Sequence, residues 1–244
     1  MNNKIINKLY HPVLYFFLLP LVSLAFGSLL ASQYSQLRLT MLLFLYFYIL
    51  VNQLIENILL RIPKSDFELS KKLLIFLEAI NFFILLFFTW NYSILAGLTL
   101  FLYTLIIQLQ FLFSYYELDK VAAIMASFLK VVLLNGFAFY IHAGFISFGG
   151  FVTYTGILIP YFIYELTRIQ NQRLDQPIRL LIALSYLMAI LFLWPSFSYA
   201  SLLFLLSLAV LWPGQDALTR KDTAIFLVHF SFFYALFLLT SIIF

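Results

Sequence analysis

Four polar side chains, Asn52, Gln53, Glu56 and Asn57, interrupt an otherwise apolar run from Leu39 to Ile62. Three- and four-residue steps place them on one face of a helix. A carboxylate at that depth costs about 2.5–3.5 kcal/mol on insertion scales unless it faces protein or a water-filled space. The pattern therefore reads as a polar site inside a helical bundle. A second patch, Glu165 and Arg168, closes a later apolar run. Lys130 stands in another run, about 15 Å from its start at 1.5 Å per residue. Snorkelling covers only part of that depth. Lys130 is thus expected to face a cavity, as counter-ion to Glu56 or Glu78 or as a contact for an anionic ligand, with a helix-to-helix ion pair as the alternative. Glu78, about 9 Å into its own helix, reads either as a third cavity carboxylate or as a neutral glutamate hydrogen-bonded between helices.

The elements that must position these groups follow from composition. Apolar residues make up 64% of the 244 residues and charged residues 10%, against about half and a quarter in soluble domains. With a mean hydropathy of +1.03, the chain reads as an all-α, polytopic membrane bundle, a single transmembrane domain over 1–244. The apolar runs are too continuous for barrel strands. Nine segments approach the roughly 20 residues that a span needs. They are Leu9–Leu30, Leu39–Ile62, Leu73–Trp90, Tyr92–Phe113, Val121–His142, Phe145–Arg168, Ile178–Trp194, Tyr199–Trp212 and Thr223–Phe244. Asn91, Gly144, Pro195-Ser196 and Pro213-Gly214 punctuate the joints.

With the N-terminus inside, twelve Lys and Arg residues fall on the inner side and only Arg38 on the outer. That asymmetry sets the orientation. It predicts a cytoplasmic N-terminus and an outside C-terminus, in a bacterium across the inner membrane. Chemistry on a charged head group would open inward, near Glu56, Lys120, Glu165 and Arg168. Cysteine is absent, which excludes disulfides and thiolate metal sites. His11, His142 and His229 lack metal-ligand spacing and are expected to be hydrogen-bonded structural groups. No nucleotide loop, Ser-His-Asp arrangement or nucleic-acid-binding feature is visible.

The placement of these patches resembles the UbiA superfamily of intramembrane prenyltransferases, whose nine helices surround a central cavity. The superfamily's first signature, Asn-Asp-x-x-Asp-x-x-x-Asp, is matched by Asn52, Gln53, Glu56 and Leu60. The second, Asn/Asp-x-x-x-Asp-x-x-x-Asp followed by Arg, falls on Tyr164 to Arg173, with Arg168 and Gln172 where aspartates are usual. Phe113 to Lys120 resembles an intervening Tyr-Ser-(Pro-rich)-Leu-Lys stretch without its prolines.

The resemblance implies transfer of a prenyl group from an isoprenoid diphosphate to a small aromatic acceptor. It implies Mg2+ held by Asn52, Gln53, Glu56, Glu165 and Gln172, and diphosphate held by Asn52, Lys120, Arg168 and Arg173, with Glu56 and Lys130 in catalytic positions. Metals would neutralise the charge that develops on the departing diphosphate. Only Glu56 and Glu165 survive as carboxylates, and Arg168 brings a positive charge where a metal ligand belongs. Three readings stand side by side. One cation is held by the two glutamates, with Lys120, Arg168 and Arg173 on the phosphates. Or the chain is a catalytically degenerate relative that binds an isoprenoid or other lipid without turnover. Or Glu56 and Arg168 form an ion pair between helices.

Overall fold

The computed structural model describes residues 11–60, 71–170, 178–193 and 220–243. Among them the chain is all helical. In lipid every backbone N–H and C=O must be satisfied within its own segment, and a run of apolar helix formers does so only as a helix. The helices are α1 (Pro12–Ala31), α2 (Leu39–Leu59), α3 (Lys71–Asn91), α4 (Ile94–Tyr115), α5 (Asp119–Phe128), α6 (Leu134–Ala143), α7 (Phe148–Thr155), α8 (Leu158–Gln170), α9 (Ile178–Leu193) and α10 (Arg220–Ile243). A π turn, Leu129–Leu133, joins α5 to α6 without a break, so Asp119–Ala143 forms one rod. With α1, α2, α3, α4 and α10, that makes six helices among the described residues long and apolar enough to cross a membrane. This is a multi-pass membrane architecture.

The expected span Phe145–Arg168 is two helices instead. Pro160 is the cause: it has no N–H to donate to Gly156, and its ring would clash with that carbonyl if the helix continued. The chain turns at Gly156 and Ile157 and restarts as α8. The expected span Tyr199–Trp212 lies outside the described residues.

Packing runs in a closed circuit: α1 against α2, α2 against α4, α4 against α5, α5 against α8, α8 against α10, and α10 back onto α1. α6 lies against α1, and α3 packs on α2 and α4. One apolar cluster joins α1, α8 and α10 through Phe26, Tyr161, Phe230 and Tyr234. A second joins α2, α3, α4 and α6 through Tyr48, Phe88, Tyr103 and Phe137. The α1–α6 crossing is close enough that a Cβ on Gly27 would overlap the Asn135 carbonyl, and the Gly27 N–H donates to Asn135 Oδ1 at 3.0 Å. Small residues admit this backbone approach. At the end of α6, Gly144 takes φ 79°, a left-handed stop. His142 there accepts the Arg38 N–H at Nδ1 (3.1 Å), which pins the α1–α2 loop.

α4 buries Ala96, Leu100, Tyr103, Ile107 and Gln110 in one stripe at three- and four-residue spacing. Gln110 is fully buried, yet neither of its amide atoms finds a hydrogen-bond partner among the described residues. Such a group costs about 1–3 kcal/mol. Gln110→Met, of similar length, is expected to stabilise the protein by about that amount, read as a higher unfolding midpoint in detergent.

Candidate functional site

The inner face of α2, the π turn and α8 meet in a buried cluster of four charges. Glu56 is 1% exposed, Lys130 5%, Glu165 0% and Arg168 4%. Lys130 Nζ donates to both oxygens of Glu56, at 3.0 and 2.7 Å, and to Glu165 Oε1 at 2.9 Å. Arg168 Nε donates to Glu165 Oε2 at 2.7 Å, and its Nη2 reaches Glu56 Oε1. Each carboxylate therefore meets both cations, and the formal charges sum to zero.

Local sequence explains how each member arrives. Glu165 and Arg168 are one turn apart on α8, so the guanidinium folds back along its own helix. Glu56 lies on the polar face of α2, beside Asn52 and Gln53. Lys130 projects from the π turn, a local widening of the helix of the kind often found at functional positions. Stranding any one of these charges in lipid would be expensive. Two carboxylates and two cations from separate segments therefore settle at one point.

Beside the cluster is a void of about 10 Å³, lined by Gln53, Tyr103, Tyr161 and Tyr164 with Lys130, Glu165 and Arg168. It has room for about one water molecule. Tyr161 is held in place by a hydrogen bond with Ser23 Oγ (2.9 Å). Arg168 Nη1 is buried and has no hydrogen-bond partner among the described residues. A density map at about 2 Å is expected to show one water bound to Arg168 Nη1, since a buried donor with adjacent space usually holds one.

The other expected site residues are dispersed. Asn52 turns away from Glu56: its amide exchanges hydrogen bonds with Asn81 of α3, at 3.1 and 3.2 Å, and donates to the Tyr48 carbonyl at 3.0 Å. Gln53 lines the void, its amide 3.5 Å from the Phe16 carbonyl. Lys120 is exposed at the start of α5. Arg173 and Gln172 lie outside the described residues. Among the described residues no three His, Cys, Asp or Glu side chains group as metal ligands. The Glu56 and Glu165 oxygens already face Lys130 and Arg168. Magnesium would have to enter between two cations, so the donor set, as arranged, does not fit it.

A second feature was not legible as such. Between α2, α3 and α4 lies a cleft of about 450 Å³, lined by Leu59, Leu74, Phe82, Phe101 and Leu105 among others. Phe82, Phe101 and Leu105 are exposed, so the cleft sits on the outer, lipid-facing side of the bundle. Glu78 opens into it, not into the charge cluster, and accepts a hydrogen bond from Gln108 Nε2 at 2.6 Å. Asn81, Thr104 and Gln108 complete its polar lining. Their three- and four-residue spacing within α3 (Glu78, Asn81) and α4 (Thr104, Gln108) was the signal that could have revealed them.

No family model, curated protein or solved structure matches the chain.

Proposed function

We propose that this chain is a UbiA-like, catalytically degenerate membrane protein that binds a lipid without turnover. The observation that carries this reading is the self-neutralised cluster of Glu56, Lys130, Glu165 and Arg168. Its carboxylates are occupied by internal cations, and the adjoining space accommodates one water, not a diphosphate. A buried ion cluster of this kind serves register between helices. The lateral cleft has the volume of a small-molecule site, which commonly spans about 300–1,000 Å³. The distribution of basic residues supports an orientation with the N-terminus cytoplasmic, in a bacterium across the inner membrane.

One observation favours a second reading, prenyl transfer from an isoprenoid diphosphate to an aromatic acceptor. Glu56 and Glu165, 109 positions apart in the chain, do converge through Lys130 and Arg168. In that reading both cations would swing from the carboxylates to the diphosphate, and only then would Glu56 and Glu165 be free to hold a magnesium, which would supply charge for the leaving group.

The purified full chain, incubated with magnesium, an allylic diphosphate and a hydroxybenzoate, separates the two. Retention of co-purified lipid without pyrophosphate release is the result expected. Magnesium-dependent pyrophosphate release that is lost in Glu56→Ala overturns the degenerate reading.

A further inference from the structure

The polar groups that line the lateral cleft are unequal. Asn81 is committed to Asn52 through both of its amide atoms. Thr104 is committed to Tyr48, and both Asn81 and Thr104 are buried. Gln108 must turn its NH2 toward the Glu78 carboxylate, because its carbonyl would be repelled there, and this leaves the amide oxygen free. Among the described residues Glu78 Oε2 accepts no hydrogen bond and no cation stands within ion-pair distance of Glu78.

The cleft therefore offers two open acceptors, one of them on a carboxyl group with no cation beside it among the described residues, and a single spare N–H, the second one of Gln108. That contrasts with the quartet, where every carboxylate is matched by a cation. A carboxylate half-buried on the lipid side of a membrane helix is costly until something supplies charge and hydrogen. An ammonium group provides three donors and a compensating charge. The leucines and phenylalanines around it suit a hydrocarbon tail, and the volume is that of a small amphiphile.

We infer that the cleft between α2, α3 and α4 binds a lipophilic primary amine, its ammonium on Glu78 and Gln108 and its tail along Phe82, Phe101 and Leu105. This rests on the reading of the chain as a lipid-binding protein and names the head-group chemistry of the lipid.

The test uses the full chain in nanodiscs of a zwitterionic lipid. Three photoreactive probes share one hexadecyl tail with a terminal diazirine and differ in head: primary amine, alcohol or carboxylate. Labelled positions are read by mass spectrometry. The amine is expected to label α3 and α4 at the cleft about tenfold more than the alcohol or the acid, the scale of one charge-assisted hydrogen bond. Glu78→Gln, which keeps size and a partner for Gln108, is expected to remove that preference. Leu105→Trp, which fills the cleft and leaves Glu78 in place, is expected to reduce labelling by all three. Equal labelling by the three heads, or an amine preference that survives in Glu78→Gln, overturns the amine assignment while leaving a lipid site standing. Absence of cleft labelling by every probe overturns both. The head-group comparison on the wild-type chain decides the matter even if a variant does not fold.

Discussion

Replacing Arg168 by methionine is expected to destabilise the protein by about 3–5 kcal/mol, the cost of breaking a buried ion pair from one side. The loss comes less from the contacts removed than from the charges left behind. Glu56 and Glu165 would share a single cation, Lys130, in surroundings that admit about one water. Arg168→Lys should recover only part of the loss, because a lysine at this position lacks the planar fork by which Nε and Nη2 of Arg168 reach Glu165 and Glu56 separately. Adding Glu56→Gln to Arg168→Met removes the surplus negative charge, so the double variant should lose less than the sum of the singles. Unfolding midpoints of the purified full chain in mixed detergent micelles measure these three together with Glu56→Gln alone. A change under about 1 kcal/mol for Arg168→Met would mean that the cluster behaves like an exposed pair.

Gly27→Val is the second large effect, and it acts through shape. The Cβ at this position would overlap the Asn135 carbonyl, which belongs to a backbone and cannot rotate away. α1 and α6 must separate, and Asn135 loses its hold on the Gly27 N–H. Overpacking of this sort costs about 1–3 kcal/mol where side chains can give, and backbone gives less. The expected outcome is a protein that elutes as aggregate on size exclusion, with its unfolding midpoint lowered beyond that range. Gly27→Ala should fall between the wild type and Gly27→Val.

How much of this could be read from the chain follows from how costly each feature is in lipid. Glu56, Lys130, Glu165 and Arg168 stood out because charges are rare in apolar runs, and the same scarcity brings them to one another. Helix rise gave each its depth. It does not give the direction in which a side chain leaves the axis relative to the neighbouring helices. Glu78 was therefore open to a shared cavity with Glu56, whereas it faces the cleft with Gln108. Asn52 lies on the Glu56 face of α2 by spacing alone, yet an amide is cheapest where another amide can answer both of its hydrogen-bonding atoms, and Asn81 does so. The break before Pro160 was hidden because hydropathy is blind to a missing N–H. The π turn carries no residue-type signature at all.

Four methionines in place of Glu56, Lys130, Glu165 and Arg168 provide the most direct test of the central claim, that these charges neutralise one another and hold helices in register instead of holding a ligand. Removing a buried cluster as a unit is often neutral or stabilising, by about 1–4 kcal/mol. The quadruple variant is therefore expected to remain folded and to keep its co-purified lipid at the wild-type ratio, measured by native mass spectrometry. A variant that folds as well as the wild type but has lost its lipid would contradict the claim and return the cluster to the role of binding site.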